Sequence, residues 1–151
     1  MSGQEPNPPP VYSAAHVLGY AALRLAIGMS MLIHGLERLP KTAAFVAATE
    51  KQFAGSPLPP TLVAAFAHVT PPVETLIGIL VFFGIATSTG LILGGLWMVA
   101  LIFGATLIEQ YQVVGVQLLY SLIFFVLLQY LPQNRMSVDW LVRRHIKGTA
   151  R

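Results

Sequence analysis

Four long apolar stretches divide the chain, at residues 14–36, 61–86, 90–108 and 113–131. About 20 consecutive apolar residues in a helix cross the ~30 Å hydrocarbon layer of a bilayer. The connections after the second and third stretches are short, which makes the consecutive spans antiparallel neighbours. The pattern therefore predicts an all-α integral membrane protein, a four-transmembrane-helix antiparallel bundle.

The second stretch is interrupted by the sequence Thr70-Pro71-Pro72. The two prolines cannot donate to the carbonyls of Ala67 and His68, and Thr70 is disfavoured in a helical conformation. The sequence predicts either a kinked span or a span that begins here after a separate short helix. In the connection that precedes it, residues 42–53 are rich in alanine and predict a surface helix between spans one and two.

The two ends of the chain differ from the apolar middle. Residues 1–13 predict a disordered N-terminal tail, and residues 14–136 form the predicted four-span membrane domain. Residues 137–151 predict a basic interfacial C-terminal helix and tail, which Ser137 caps while Asp139 complements the helix dipole. Five of the nine basic residues follow the last apolar stretch and three lie in the first long connection. With an even number of spans, this bias predicts that both termini are cytoplasmic.

The amino-acid composition limits the kinds of site that this chain can form. Only 10% of the residues are charged, against about 25% in soluble domains, so lipid is the expected surrounding. Cysteine is absent, which excludes disulfides, iron–sulfur clusters and zinc–thiolate sites built from this chain. The net charge of +3 is concentrated at the C-terminal tail, where it suits anionic lipid better than nucleic acid.

Two charged residues lie inside predicted spans, Arg24 in the first and Glu74 in the second. Counting from residues 14 and 86 as the inner boundaries places them ~15 Å and ~18 Å into the bilayer. We therefore predict a buried Arg24–Glu74 ion pair near the midplane, because an isolated charge at that depth is costly. The pair suits either a functional role or a purely structural clamp.

A second polar group is predicted near the outer ends of the spans. The same count puts His34, His68 and Glu109 ~27–30 Å from the inner boundary, with Gln117 nearby on the fourth span. These residues predict an outer polar pocket above Glu74, with His34 and Glu74 as the catalytic candidates. Such a pocket suits a quinone headgroup. Although His34 and Glu37 share a helix face, no second firm pair accompanies them, so no metal is expected.

Gly90 and Gly94 form a Gly-x-x-x-Gly pattern in the third span, which favours close packing against another helix. That helix belongs either to the same chain or to a second copy. Besides the lipid bilayer, a protein partner or a homo-oligomer is therefore a candidate partner.

Taken together, these positions resemble the DoxX family of small four-span bacterial membrane proteins. The resemblance rests on Arg24 within Leu23–Gly28, on His34-Gly35 within Ile33–Leu39, on Phe66-Ala67, on Val73-Glu74, on Gly78 and Gly84, and on Ser137-Val138-Asp139. It implies a bacterial inner-membrane protein related to the quinone-reducing component of thiosulfate oxidation systems, or a membrane partner of redox complexes.

Two functional hypotheses follow. The first is the membrane subunit of a quinone-linked oxidoreductase, in which Arg24 tunes Glu74, and Glu74 or His34 handles protons, with quinone as a possible bound cofactor. The alternative is a non-catalytic membrane scaffold or assembly partner, in which the buried charges only fix the bundle.

Overall fold

The computed structural model describes residues 13–149, so the predicted disordered tail lies almost entirely outside the described residues. Within this range the chain is helical. The helices are α1 (Ala14–Arg38), α2 (Thr42–Gln52), α3 (Pro60–Phe83), α4 (Thr87–Leu107), α5 (Tyr111–Gln129) and α6 (Val138–Thr149). Four segments are long and apolar enough to cross a membrane, and the first of them covers both α1 and α2. The predicted all-α membrane bundle is confirmed.

Helix α3 is continuous through its two prolines, which excludes a separate short helix before Pro71. The hydroxyl groups of neighbouring threonines bond to carbonyls in this part of the helix. Thr70 Oγ1 donates to the Phe66 carbonyl and Thr75 Oγ1 to the Pro71 carbonyl, both at 2.8 Å. These bonds give polar partners to backbone groups next to the proline positions, where the helix ladder is incomplete.

Glycines set how α1 and α3 pack against each other. A Cβ atom at Gly28 would collide with the backbone of Phe82, and one at Gly78 would collide with the backbone of Leu32. The two helices are therefore in close contact, with residue 28 level with residue 82. In this register the part of α1 that precedes residue 27 extends past the end of α3 by about 20 Å.

The helix predicted between spans one and two is present as α2. A short 3₁₀ segment, Leu39–Lys41, separates it from α1. Since α2 starts beside the middle of α3 and its end leads into Pro60, it runs antiparallel to the first half of α3. Val46 is the buried residue of α2, and most of the other side chains of this helix are exposed.

The central core joins α1, α3, α4 and α5. Its fully buried members include Ile77, Val81, Leu91, Phe124 and Leu127. Gly90 lies against Leu80 and Val81, and Gly94 lies against the ring of Phe124. The close approach at these two glycines therefore occurs within the chain.

Candidate functional site

A cavity of about 420 Å³ lies at the end of the bundle that carries α2. Helices α2 to α5 enclose it with mostly apolar side chains. These include Phe45, Phe53, Phe66, Leu101 and Phe103. Because Phe103 is also 59% exposed, the cavity reaches the lipid-facing surface of the bundle. An apolar cavity of this size suits a small amphipathic ligand.

An ion pair forms the polar wall of this cavity. Arg38 Nη1 donates to Glu74 Oε2 at 2.5 Å, and the Glu74 side chain is only 6% exposed. Arg38 is the last residue of α1, and its guanidinium also lies over the Phe45 ring, 5.0 Å from the ring centre. The pair therefore ties the end of α1 to the middle of α3 and the start of α2, and it borders the cavity.

The predicted Arg24–Glu74 pair is wrong. Arg24 is buried at the opposite end of the bundle, where α3 ends and α6 begins. Its Nη1 donates to the carbonyls of Val81 (2.6 Å) and Phe82 (2.5 Å), and its Nη2 donates to the carbonyl of Met136 (2.8 Å). A cation at the C-terminal end of a helix is favourable, because the free carbonyls there carry partial negative charge.

The depth count placed the start of the first span and the end of the second span at the same level, and this is not where they lie. In the structure α1 starts about 20 Å before the level at which α3 ends, which moves Arg24 away from the middle of α3 and brings Arg38 to it. The positions of the glycines in the sequence indicate this relative depth, because glycines mark where two membrane helices approach closely. Placing Gly28 and Gly35 of α1 against α3 would have put Arg38 opposite Glu74.

Of the four residues predicted to form the outer polar pocket, only Gln117 lines the cavity. Its Oε1 atom is buried without a hydrogen-bond partner, so an acceptor is available at the wall formed by α5. Gln52, Thr70 and Gln110 also line the cavity, and of these Gln52 and Thr70 were not predicted from the sequence as pocket residues.

His34, His68 and Glu109 do not line the cavity, which corrects the prediction. His68 is exposed and hydrogen-bonds the Ala64 carbonyl; six residues before Glu74, it lies on a different face of α3. Glu109 is exposed in the connection after α4, where it has a φ of 58°.

His34 is exposed one turn before Arg38, and its Nδ1 hydrogen-bonds the carbonyl of Ser30 at 2.7 Å. The Ser30 hydroxyl in turn is hydrogen-bonded to Tyr120 of α5 at 2.6 Å. His34 thus belongs to a polar contact between α1 and α5 beside the cavity. Among the described residues, no three His, Asp or Glu side chains lie together as a metal site requires.

The end of the bundle that carries α6 is held by Asp139. Its carboxylate accepts the backbone N–H groups of Ala86 and Thr87 and the Thr87 hydroxyl, at 2.7–2.8 Å, and so caps the start of α4. Burial raises the pKa of Asp139, but the hydrogen bonds from Thr87 and Ala86 outweigh it and hold the pKa below its ordinary value. Ser137 Oγ accepts the Trp140 N–H, as predicted for the N-cap of α6.

The Arg38–Glu74 pair and the contacts of Arg24 and Asp139 involve residues in the segments on which the family resemblance rests. A comparison with protein families agrees with that resemblance. The DoxX family model matches residues 19–107, more than half of the chain. The chain belongs to the DoxX family.

The DoxX match contains Arg24, Arg38 and Glu74, together with the cavity walls formed by α2, α3 and α4. Helix α5, which supplies Gln117, and the segment around Asp139 lie beyond it. A search of curated proteins and a search of solved structures gave no match. Membership of DoxX thus supports a multi-pass membrane protein with four spans.

Proposed function

We propose that this DoxX protein is the membrane subunit of a quinone-linked redox complex and that the cavity beside Glu74 binds the quinone headgroup. The single observation that carries the proposal is the Arg38–Glu74 pair on the wall of an otherwise apolar cavity that reaches the lipid-facing surface. A quinone enters from lipid, and its ring requires apolar walls with a few polar groups at its carbonyl oxygens.

The polar groups divide into donors and acceptors that fit both redox states. Arg38 and the Gln117 amide can donate to the carbonyl oxygens of the quinone, while Glu74 and Gln117 Oε1 can accept from the hydroxyl groups of the quinol. Reduction of a quinone consumes two electrons and two protons. In this proposal Glu74 passes one proton to the quinone oxygen beside it, and water supplies the second proton to the other oxygen. A separate redox protein or reduced small molecule supplies both electrons.

His34 has a smaller part in the proposal. It lies outside the cavity wall but within electrostatic range of Glu74. Its contact with Ser30 and Tyr120 leaves it as a candidate for proton exchange with Glu74 rather than for contact with the ring.

Quinone quenching of tryptophan fluorescence tests the proposal, because Trp97 stacks on Phe66, which lines the cavity. The purified full chain in lipid nanodiscs is titrated with a short-tailed benzoquinone. Glu74→Gln should weaken binding at least about tenfold, since it removes the charge-assisted hydrogen bond that holds Arg38 at the cavity wall, where Arg38 donates to the quinone. Glu109→Gln removes an exposed carboxylate outside the cavity and should leave the affinity unchanged. Equal affinity of the wild type and Glu74→Gln would overturn the quinone site.

A non-catalytic scaffold is the second candidate, because the Arg38–Glu74 pair also joins α1 to α3. The face containing Gly90 and Gly94 is occupied by the chain's own helices, so a docking surface must lie elsewhere. A scaffold role predicts that exchanging the charges, Arg38→Glu with Glu74→Arg, restores the function that each single change removes. If the exchanged protein is stable but inactive, the pair has a chemical role.

A further inference from the structure

A second cavity, of about 380 Å³, lies between the end of α5 and α6, far from the proposed quinone site. Three arginines line it, Arg135, Arg143 and Arg144, together with Leu131, Pro132, Asn134 and Trp140. No acidic side chain is among these residues. The described wall of the cavity therefore carries three positive charges and no negative one.

The carboxylate of α6, that of Asp139, is hydrogen-bonded to another helix. Asp139 is within electrostatic range of Arg143, but its two oxygens accept three hydrogen bonds from Ala86 and Thr87 at the start of α4. The guanidinium groups of Arg143 and Arg144 make contacts within α6. Arg143 Nε donates to the Asp139 carbonyl at 3.3 Å, and the Arg144 guanidinium lies 5.2 Å from the centre of the Trp140 ring.

The cavity lies at the depth of the lipid headgroups. Helix α5 crosses the membrane and ends at Gln129, two residues before Leu131, the first residue of the cavity wall. On α6 the apolar side chains of Leu141, Val142 and Ile146 are 51–64% exposed. An amphipathic helix with such a face lies at the membrane surface with its apolar side among the acyl chains.

We propose that this cavity binds the phosphate group of an anionic phospholipid. Arg143 and Arg144 contact the phosphate oxygens, and Trp140 lies at the level of the glycerol backbone. Guanidinium groups suit this role because their forked N–H groups match two phosphate oxygens at once. The site would anchor α6, and through Asp139 the start of α4, to the lipid surface. It is independent of the proposed quinone site.

Native mass spectrometry of the detergent-purified full chain tests the proposal. The protein is mixed with equal amounts of phosphatidylglycerol and phosphatidylcholine that carry the same acyl chains. We expect one phosphatidylglycerol to be retained with a preference of about 30-fold, the gain expected from two arginines at a lipid surface. Arg143→Gln combined with Arg144→Gln should abolish the preference, and replacing both with lysine should restore part of it.

The matched control removes the same charge elsewhere. Lys41→Gln combined with Lys51→Gln neutralises two exposed residues at the other end of the bundle and should keep the full preference. The proposal fails if the arginine double variant still prefers phosphatidylglycerol, or if the lysine control loses the preference equally. Displacement of the lipid by inorganic phosphate at an equal concentration would also overturn it, because the cavity would then be a site for free phosphate.

Discussion

Arg24 and Arg38 lie on the same helix, on nearly the same face and about 21 Å apart, yet the chain satisfies them in different ways. Arg24 is 2% exposed, and its bonds go to three main-chain carbonyls of α3 and the segment before α6. Arg38 is about one-third exposed and pairs with one buried carboxylate beside a cavity.

The difference separates a structural cation from a candidate functional one. Carbonyl oxygens do not titrate, so the bonds of Arg24 can only hold elements together. A carboxylate can exchange a proton or accept a ligand hydroxyl, and the cavity gives a ligand access to it. The surroundings of a buried charge, and not its depth, therefore indicate its role.

Removal of Arg24 should have the largest effect on stability. Arg24→Gln leaves the terminal carbonyls of α3 and the Met136 carbonyl without their cationic donor, which should lower the free energy of unfolding by about 3–5 kcal/mol. Denaturant titration of the detergent-solubilised protein, followed by circular dichroism, measures this loss. Arg24→Lys keeps the charge and should recover part of it. A loss below that of Arg38→Gln would contradict the comparison.

Two glycines, one at each end, give the next largest contrast. Gly84 has a φ of 67°, and a Cβ there would meet Ser137 and the guanidinium of Arg24, so Gly84→Ala should cost about 1–3 kcal/mol. At Gly104 the nearest atom to a new Cβ is the tip of the Phe53 ring at 3.3 Å. Gly104→Ala also favours the helix, so thermal unfolding should show little loss or a small gain. Equal losses would show that the two ends are packed alike.

Acid should weaken the Asp139 contact next. The pKa of Asp139 is depressed in the folded protein, so its contribution is complete above its ordinary pKa of about 3.9 and is lost as the pH falls through the lower folded value. Asp139→Asn should cost about 1–2 kcal/mol at pH 7. The difference in melting temperature between wild type and variant should stay constant from pH 7 to pH 5 and shrink below about pH 4. A difference that grows on acidification has the wrong sign and would refute this assignment.

The smallest effect on stability is expected where the effect on binding is greatest. Arg38→Gln combined with Glu74→Gln replaces the ion pair with neutral polar groups, which should change the free energy of unfolding by no more than about 1 kcal/mol. The same double variant should lose quinone-induced quenching of Trp97. Lys41→Gln combined with Glu37→Gln neutralises an exposed ion pair whose two members lie on either side of Arg38 in the chain, and it serves as the control. Retained quenching in the cavity variant would show that the pair is structural.

The helices could be predicted from the sequence because each has a long apolar stretch between polar or glycine-rich connections. Their observed bounds differ from the predicted ones by only a few residues at most ends. The N-cap role of Ser137 was also predicted, because a cap acts within a few residues of its own helix.

The contacts between helices were harder to predict. A capping carboxylate can act on a distant helix, and Asp139 caps α4 although it belongs to α6. The partner of Glu74 depended on the relative depth of two helices, which a count of apolar residues does not fix. Arg38 was assigned to a loop because the apolar stretch ends near residue 36, whereas the helix continues to it.

The bonds of Arg24 have a consequence for the order in which the protein is made. The Met136 carbonyl lies 112 residues beyond Arg24 in the chain. Arg24 can therefore reach all of its acceptors only after all four spans have been synthesised. During insertion the first helix must keep Arg24 near water or headgroups. The segment that follows the last span thus completes the hydrogen bonds of the first helix, and a chain that stops before residue 136 lacks the third acceptor of Arg24.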